Sequence, residues 1–118
     1  MRIQLLFMAF ITLSLASALT TENIQNIAIR VSESHEYRLG IFDCTQFSQS
    51  FNSEMDKLGI KNICVFGYYK CNGLGLHDWS EIELNGKIIR VDATGGYIID
   101  DDTYASCYKP YFRSKRCL

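Results

Sequence analysis

Three side chains could together create a reactive nucleophile: the thiol of Cys44, the imidazole of His77 and the carboxylate of Asp92. An imidazole can take the proton of a thiol, and a carboxylate that accepts the other ring N–H fixes the tautomer and stabilises the imidazolium ion. The resulting thiolate attacks electrophilic carbonyl carbons. The three residues are distant in the chain, so folded elements must bring them together.

The number of cysteines leaves one thiol over. The chain has five cysteines, and in an oxidising compartment paired cysteines become disulfides. Since five is odd, at most two disulfides form within the chain, and one thiol stays free or pairs with another chain. The five residues are Cys44, Cys64, Cys71, Cys107 and Cys117. The leftover thiol is either a reactive group or an inert core residue.

The clearest predicted helix begins at Cys44. Asp43 is a favourable N-cap, and Gln46 completes a capping-box pattern. Apolar residues recur on one face at three- and four-residue steps, namely Cys44, Phe47, Phe51, Met55 and Leu58. Gly59 predicts the end of the helix. Cys44 therefore occupies the first turn, where the helix dipole and the free N–H groups favour a thiolate.

A meander of strands is predicted after this helix, and another amphipathic helix before it at residues 20–31. The dipeptide Asn85-Gly86 is a strong hairpin signal that favours a type I′ turn. The predicted strands are residues 64–69, 77–84, 87–92 and 97–99. Helices followed by such a meander predict an α+β fold with an antiparallel sheet.

The two-residue turn also fixes the register of the predicted hairpin. Glu81 then faces Arg90, an opposite-charge pair that supports this register. Trp79 faces Asp92, which makes His77 a diagonal neighbour of Asp92 on the same face of the sheet. Diagonal Cα atoms lie about 7–8 Å apart, within reach of an imidazole and a carboxylate that lean together. The sequence therefore predicts that Asp92 orients His77.

Several motifs occur in an order that resembles the transglutaminase-like superfamily. A cysteine opens a helix that ends in a Leu-Gly-Ile turn, and a Val-x-Gly-Tyr strand follows. A His-x-Trp strand and a strand ending in Val-Asp-x-Thr come next. These motifs occupy residues 43–48, 58–60, 65–68, 77–79 and 86–94. The resemblance spans residues 42–96 and is greatest to the small prokaryotic members, including archaeal ones.

The resemblance implies a papain-like core in which the cysteine-bearing helix packs on a small antiparallel sheet. It implies that Cys44 is the nucleophile, His77 the general base and Asp92 the orienting carboxylate. The other four cysteines would then form two disulfides, whose connectivity stays open. Asp78 departs from the family, which usually has a small or apolar residue there. Because Asp78 faces away from the triad by strand alternation, we expect this departure to do the triad little harm.

The function that the resemblance implies is that of a secreted cysteine enzyme acting on a peptide or protein. Attack by Cys44 would form a thioester that water hydrolyses or an amine accepts, with peptide or amide hydrolysis the favoured reaction. The alternative is a catalytically inactive, disulfide-stapled, secreted binding domain with the same fold. A free, partly exposed Cys44 thiol in hydrogen-bond reach of His77 would favour the enzyme.

The remaining composition narrows the location and the partners. Residues 1–18 have a basic start, an apolar stretch and a final Ala-Ser-Ala, which predicts a signal peptide and a secreted domain at residues 19–118. The 12 basic and 13 acidic residues argue against a dedicated nucleic-acid binder. We expect no cofactor, no metal site and no stable membrane insertion after cleavage. The substrate and the oligomeric state are not predicted.

Overall fold

The computed structural model describes residues 19–73 and 75–117. Within those ranges the elements are, in chain order, α1 (Thr21–Ser32), α2 (Cys44–Lys57), β1 (Asn62–Tyr69), β2 (Gly75–Leu84), β3 (Lys87–Asp92), β4 (Tyr97–Ile99), α3 (Asp101–Cys107) and β5 (Tyr108–Ser114). Both predicted helices and the four predicted strands are confirmed. The predicted signal peptide lies outside the described residues.

Two elements near the C-terminus, α3 and β5, have no counterpart in the sequence-based prediction. No residue of α3 is buried, so its sequence lacks the apolar periodicity that marks a helix. Its start is set by Asp100, whose carboxylate accepts a hydrogen bond from the Thr103 backbone N–H at 2.7 Å. β5 buries its residues without regular alternation and is a strand because it pairs with β1.

The strands form an antiparallel sheet in the order β4-β3-β2-β1-β5. The register predicted for β2 and β3 is confirmed from Leu84↔Lys87 to Ser80↔Val91. Asn85 and Gly86, between these strands, have φ values of 53° and 79°, as a type I′ turn requires. The predicted cross-strand ion pair is also present, with 3.5 Å between Arg90 Nε and Glu81 Oε2.

Alternation along β2 divides its side chains between two cores. One face of the sheet packs against α1 and α2 around Ile24, Ala28, Val31, Phe47, Phe51, Met55, Ile60, Ile82, Leu84, Val91 and Ala93. On the other face, a second core contains Val65, Trp79, Ile99 and Tyr108. By alternation His77 lies on the face of Trp79, whereas Asp78 lies on the face that α2 covers.

Two disulfides hold β5 at its ends. Cys71 is bonded to Cys107, which directly precedes β5, and Cys64 is bonded to Cys117, which follows it. The prediction of two disulfides among these four residues is confirmed, and the structure supplies the connectivity that the sequence left open. Among the described cysteines, Cys44 is the free one, and it is partly exposed.

Gly67 lies where β1 passes close to β5 and to Trp79. A Cβ at this position would overlap the backbone carbonyl oxygen of Lys109 and approach Trp79 Cη2 to 2.5 Å. Because the carbonyl belongs to the paired strand, it cannot yield easily. We therefore expect Gly67→Ala to lower the free energy of unfolding by about 2–3 kcal/mol in urea denaturation. Gly59→Ala is the control: space around its Cβ is open, and its φ of +71° costs about 1 kcal/mol. Equal losses in the two variants would contradict the steric argument.

Candidate functional site

Cys44 is placed by the cap of α2. The Asp43 carboxylate accepts a hydrogen bond from the Thr45 backbone N–H at 3.1 Å, and the Gln46 side chain accepts one from the Asp43 backbone N–H at 2.9 Å. The predicted capping box is thus confirmed. It makes Cys44 the first residue of the helix, and this residue is partly exposed.

Asp78 anchors this end of α2 to the sheet. The Thr45 hydroxyl donates to Asp78 Oδ2 at 2.7 Å, and the Ser48 hydroxyl donates to the Asp78 backbone carbonyl at 3.3 Å. Burial raises the pKa of Asp78, and the hydrogen bond from Thr45 opposes that rise. Asp78 therefore has a structural role that the sequence did not predict, since it joins α2 to the sheet. Strand alternation correctly placed Asp78 away from His77, on the face where α2 docks. Its position among buried strand residues was the feature of the sequence that could have indicated this contact.

His77 and Asp92 meet as the predicted register requires. His77 Nε2 lies 2.8 Å from Asp92 Oδ2, and both side chains are buried. The pairing of β2 with β3 ends at Ser80↔Val91, so the start of β2 extends past the end of β3. The first turn of α2 docks at this end of β2, which places Cys44 close enough to His77 to influence its pKa. The fold thus brings the three predicted site residues together.

The electrostatics of this group favour a protonated imidazole. Burial by itself would lower the pKa of His77, but hydrogen bonds with Asp92 and Cys44 and the charges of both groups raise it to about 10. Nε2 of this ring faces the Asp92 carboxylate. A cationic imidazole held in this way is the partner that stabilises a thiolate.

Asp92 is held by more groups than His77 alone. The Tyr108 hydroxyl donates to Asp92 Oδ2 at 2.6 Å, the Tyr97 hydroxyl lies 3.4 Å from the same oxygen, and the Gly95 backbone N–H donates to Oδ1 at 3.2 Å. Burial would raise the pKa of Asp92, but the hydrogen bonds and the charge of His77 lower it. Tyr108 was not predicted as a site residue, because no local sequence pattern indicates that β5 pairs with β1.

Two further residues border the site. Trp79 is fully buried, with its ring centroid 6.3 Å from that of His77 and 5.0 Å from that of Tyr108, so it packs behind the imidazole. Tyr37 is half-exposed in the segment before α2, where slight burial and the charges of Cys44 and Asp43 raise its pKa. A groove of about 470 Å³ lies elsewhere, near the other end of β2, and is lined by residues such as Ile60, Lys61, Glu83 and Ile88.

The stability of the protein should depend on the charge of His77. Its folded-state pKa of about 10 lies above the ordinary value of 6.5. Protonation of His77 therefore stabilises the fold below about pH 6.5, and this contribution is lost as the pH rises through 10. We expect the difference in free energy of unfolding between the wild type and His77→Gln to fall by at least about 1 kcal/mol over that range. Urea denaturation of both proteins at the two ends of this pH range measures the change. A difference in free energy of unfolding that does not vary with pH would contradict the prediction.

The comparisons with known proteins give a structural likeness and no sequence family. No family model matches the chain, and no curated protein matches it. A solved structure of a Polyporus squamosus lectin, bound to the human-type influenza-binding epitope Neu5Aca2-6Galb1-4GlcNAc, is similar with a TM-score of 0.61 and 22% identity. The match covers 80% of this chain and 37% of the lectin chain. At this identity the likeness concerns the fold alone.

These findings correct the family and the fold class predicted from the motifs. The transglutaminase-like, papain-like assignment is wrong, because no family model supports it and the similar structure is a lectin. The observed domain is a small antiparallel sheet with helices on both faces and two disulfides. The physical reason for the error is that each motif specifies a helix start, a strand or a hairpin. Such local patterns do not determine how the elements are assembled.

The function derived from that family is corrected with it. Two predicted functions depended on that family and fold: a transglutaminase-like cysteine protease that hydrolyses peptides through a thioester, and an inactive binding domain of the same fold. Because the lectin likeness contradicts the fold, both predictions are withdrawn. Two disulfides are consistent with an oxidising, extracellular environment. Across residues 19–73 and 75–117, no helix has the length and apolar character needed to cross a membrane.

Proposed function

We propose that Cys44, His77 and Asp92 form a nucleophilic thiol site, and that the protein is a secreted enzyme that uses it. The observation that carries the proposal is that His77 Nε2 lies 2.8 Å from Asp92 Oδ2, with the free Cys44 close enough to His77 to raise its pKa. In this arrangement His77 takes the thiol proton, and Asp92 stabilises the imidazolium ion that forms. The thiolate then attacks an electrophilic carbon of a bound ligand.

Charge and burial support this assignment. A pKa of about 10 keeps His77 protonated at neutral pH, so that a cation lies beside Cys44. His77 and Asp92 are both less than one-tenth exposed, which strengthens their interaction by excluding water, whereas Cys44 is partly exposed. Cys44 also lies at the first turn of α2, where the backbone N–H groups favour negative charge.

The test is alkylation of the non-reduced protein by iodoacetamide across a range of pH, followed by peptide mapping. Alkylation joins Cys44 Sγ to the acetamide carbon and releases iodide. We expect Cys44 to react at about pH 6, where an ordinary thiol is almost entirely protonated. The control is the same protein unfolded in urea with its disulfides intact, where His77 no longer assists. Equal rates for folded and unfolded protein at this pH would overturn the proposal.

A second candidate function is glycan binding, and an aromatic patch on the surface favours it. The patch consists of Phe66, Tyr111 and Phe112. The ring centroid of Phe66 lies 6.3 Å from that of Tyr111 and 5.1 Å from that of Phe112. Tyr111 and Phe112 are about half exposed. The negative face of an aromatic ring attracts the C–H groups of a sugar ring. The similar lectin was solved with the sialylated trisaccharide described above.

Ligand-observed NMR with that trisaccharide tests the second candidate. We expect saturation transfer from the wild type, and its loss in the double variant Tyr111→Ala, Phe112→Ala. Ile88→Ala is the matched control, since Ile88 is an exposed apolar side chain on another strand. The absence of transfer, or transfer that survives in the double variant, would refute glycan binding at this patch.

A further inference from the structure

The carboxylate of Asp92 receives its shortest side-chain hydrogen bond from Tyr108. The hydroxyl of Tyr108 donates to Oδ2 at 2.6 Å, and His77 Nε2 contacts the same oxygen at 2.8 Å. The other oxygen, Oδ1, accepts from the Gly95 backbone N–H. The Tyr97 hydroxyl is hydrogen-bonded to that of Tyr108. One carboxylate oxygen thus serves both the imidazole and a buried phenol.

The ring of Tyr108 is fixed from several sides. Tyr108 is 4% exposed, and its ring centroid lies 5.0 Å from that of Trp79 and 4.9 Å from that of Tyr69. The residue before it, Cys107, is disulfide-bonded to Cys71. The Cys107 carbonyl also accepts a hydrogen bond from the Lys70 backbone N–H at 2.8 Å. The covalent bond and the backbone hydrogen bond together hold the start of β5, and with it the phenol.

We propose that Tyr108 is a positioning residue of the nucleophilic thiol site, holding Asp92 in the orientation in which Oδ2 meets His77. The inference rests on the proposed function and deepens it. A carboxylate at the end of a strand has rotational freedom, and a hydrogen bond to each oxygen removes it. The hydroxyl of Tyr108 also stabilises the ionised carboxylate, as charge-assisted hydrogen bonds do. Asp92 acts on Cys44 only through His77, and Tyr108 acts on His77 only through Asp92.

The variant Tyr108→Phe tests the inference because it removes only the hydroxyl. Without this donor, Asp92 binds a proton more readily. The charge that supports the imidazolium ion is then lost at a higher pH. We expect the acid limb of the Cys44 alkylation profile to move up by about half a pH unit or more, a roughly threefold slower reaction on that limb. The titratable groups in contact with Tyr108 are Tyr69, His77, Asp92, Tyr97 and Tyr104, and Arg90 lies over the far ring of this group, that of Tyr104.

The control variant is Tyr104→Phe. Tyr104 stacks on Tyr108 with ring centroids 5.8 Å apart, and its replacement leaves the Asp92 contacts of Tyr108 in place. We expect its alkylation profile to match the wild type. A double-mutant cycle distinguishes this role from a purely structural one. In an Asp92→Asn background, Tyr108→Phe should cause no further change in the Cys44 alkylation profile.

The outcomes separate the inference from the proposed function. If wild-type Cys44 reacts no faster than the unfolded chain at about pH 6, the thiol site itself fails. If wild-type Cys44 is fast and Tyr108→Phe has the same profile, only the role of Tyr108 is overturned. Near-UV circular dichroism establishes that each variant is folded. Should Tyr108→Phe be unfolded, the variant Tyr97→Phe keeps the test open. The inference requires it to shift the acid limb in the same direction but less, since its hydroxyl lies 3.4 Å from Asp92, and an unchanged profile would overturn it.

Discussion

Replacing His77 by alanine should slow the alkylation of Cys44 at pH 6 by about a hundredfold. An ordinary thiol with a pKa of about 8.5 is roughly 0.3% thiolate at that pH. A protonated imidazole beside a thiol favours the more reactive thiolate form. Thiolates that form at low pH are somewhat weaker nucleophiles, which removes part of the advantage. Rates of iodoacetamide labelling, followed by peptide mapping, measure the difference directly.

The chain offers a matched control in its other histidine. His35 stacks on Phe42, with ring centroids 3.8 Å apart, in the segment before α2. His35→Ala removes an imidazole without touching Asp92, so we expect wild-type labelling. At about pH 9 the difference between His77→Ala and the wild type should shrink to a few-fold, because a free thiol ionises there unaided. A His77→Ala variant that labels at the wild-type rate at pH 6 would rule out the thiolate–imidazolium pair.

Removing either disulfide should lower the free energy of unfolding by about 4 kcal/mol, but only loss of Cys71–Cys107 should also slow Cys44. The two bridges close segments of similar length, with sequence separations of 36 and 53, so the chain-entropy relation gives them nearly equal values. Their positions differ. Cys107 directly precedes Tyr108, which holds Asp92, whereas the other bridge lies at the far end of β5.

The experiment compares two double variants, Cys71→Ser with Cys107→Ser, and Cys64→Ser with Cys117→Ser. Urea denaturation gives the two stabilities, and labelling under folding conditions gives the reactivity of Cys44. We expect both pairs to be destabilised alike, and the first pair to react about three to ten times more slowly at pH 6. If both pairs, or neither, slow the reaction of Cys44, the disulfide does not act through Tyr108.

The thiol site depends on contacts that belong to different parts of the chain. Thr45 and Asp78 join the cysteine helix to β2, the hairpin joins His77 to Asp92, and β5 brings Tyr108 to the same carboxylate. Each contact has a different origin in the sequence. The helix cap and the hairpin are local, whereas the last contact requires a strand from the end of the chain.

Local rules determined a definite part of this protein. The capping box fixed where α2 begins and so placed Cys44 at its first turn. The two-residue turn fixed the register of β2 and β3, and the register placed Asp92 beside His77. Because the number of cysteines is odd, one thiol must stay unpaired within the chain when two disulfides form. These features depend on neighbours in sequence or on counting, which a single chain reveals.

Tertiary structure decided the rest. Which cysteines pair, that Cys44 reaches His77, and that Tyr108 supports Asp92 all depend on how helices and strands pack. Short motifs suggested one assembly of these elements, and the similar solved structure proved to be a lectin. Alternation told which way Asp78 points, but not that α2 would dock there. The physical reason is that a contact between distant segments is set by the shape and burial of whole surfaces, which no local pattern encodes.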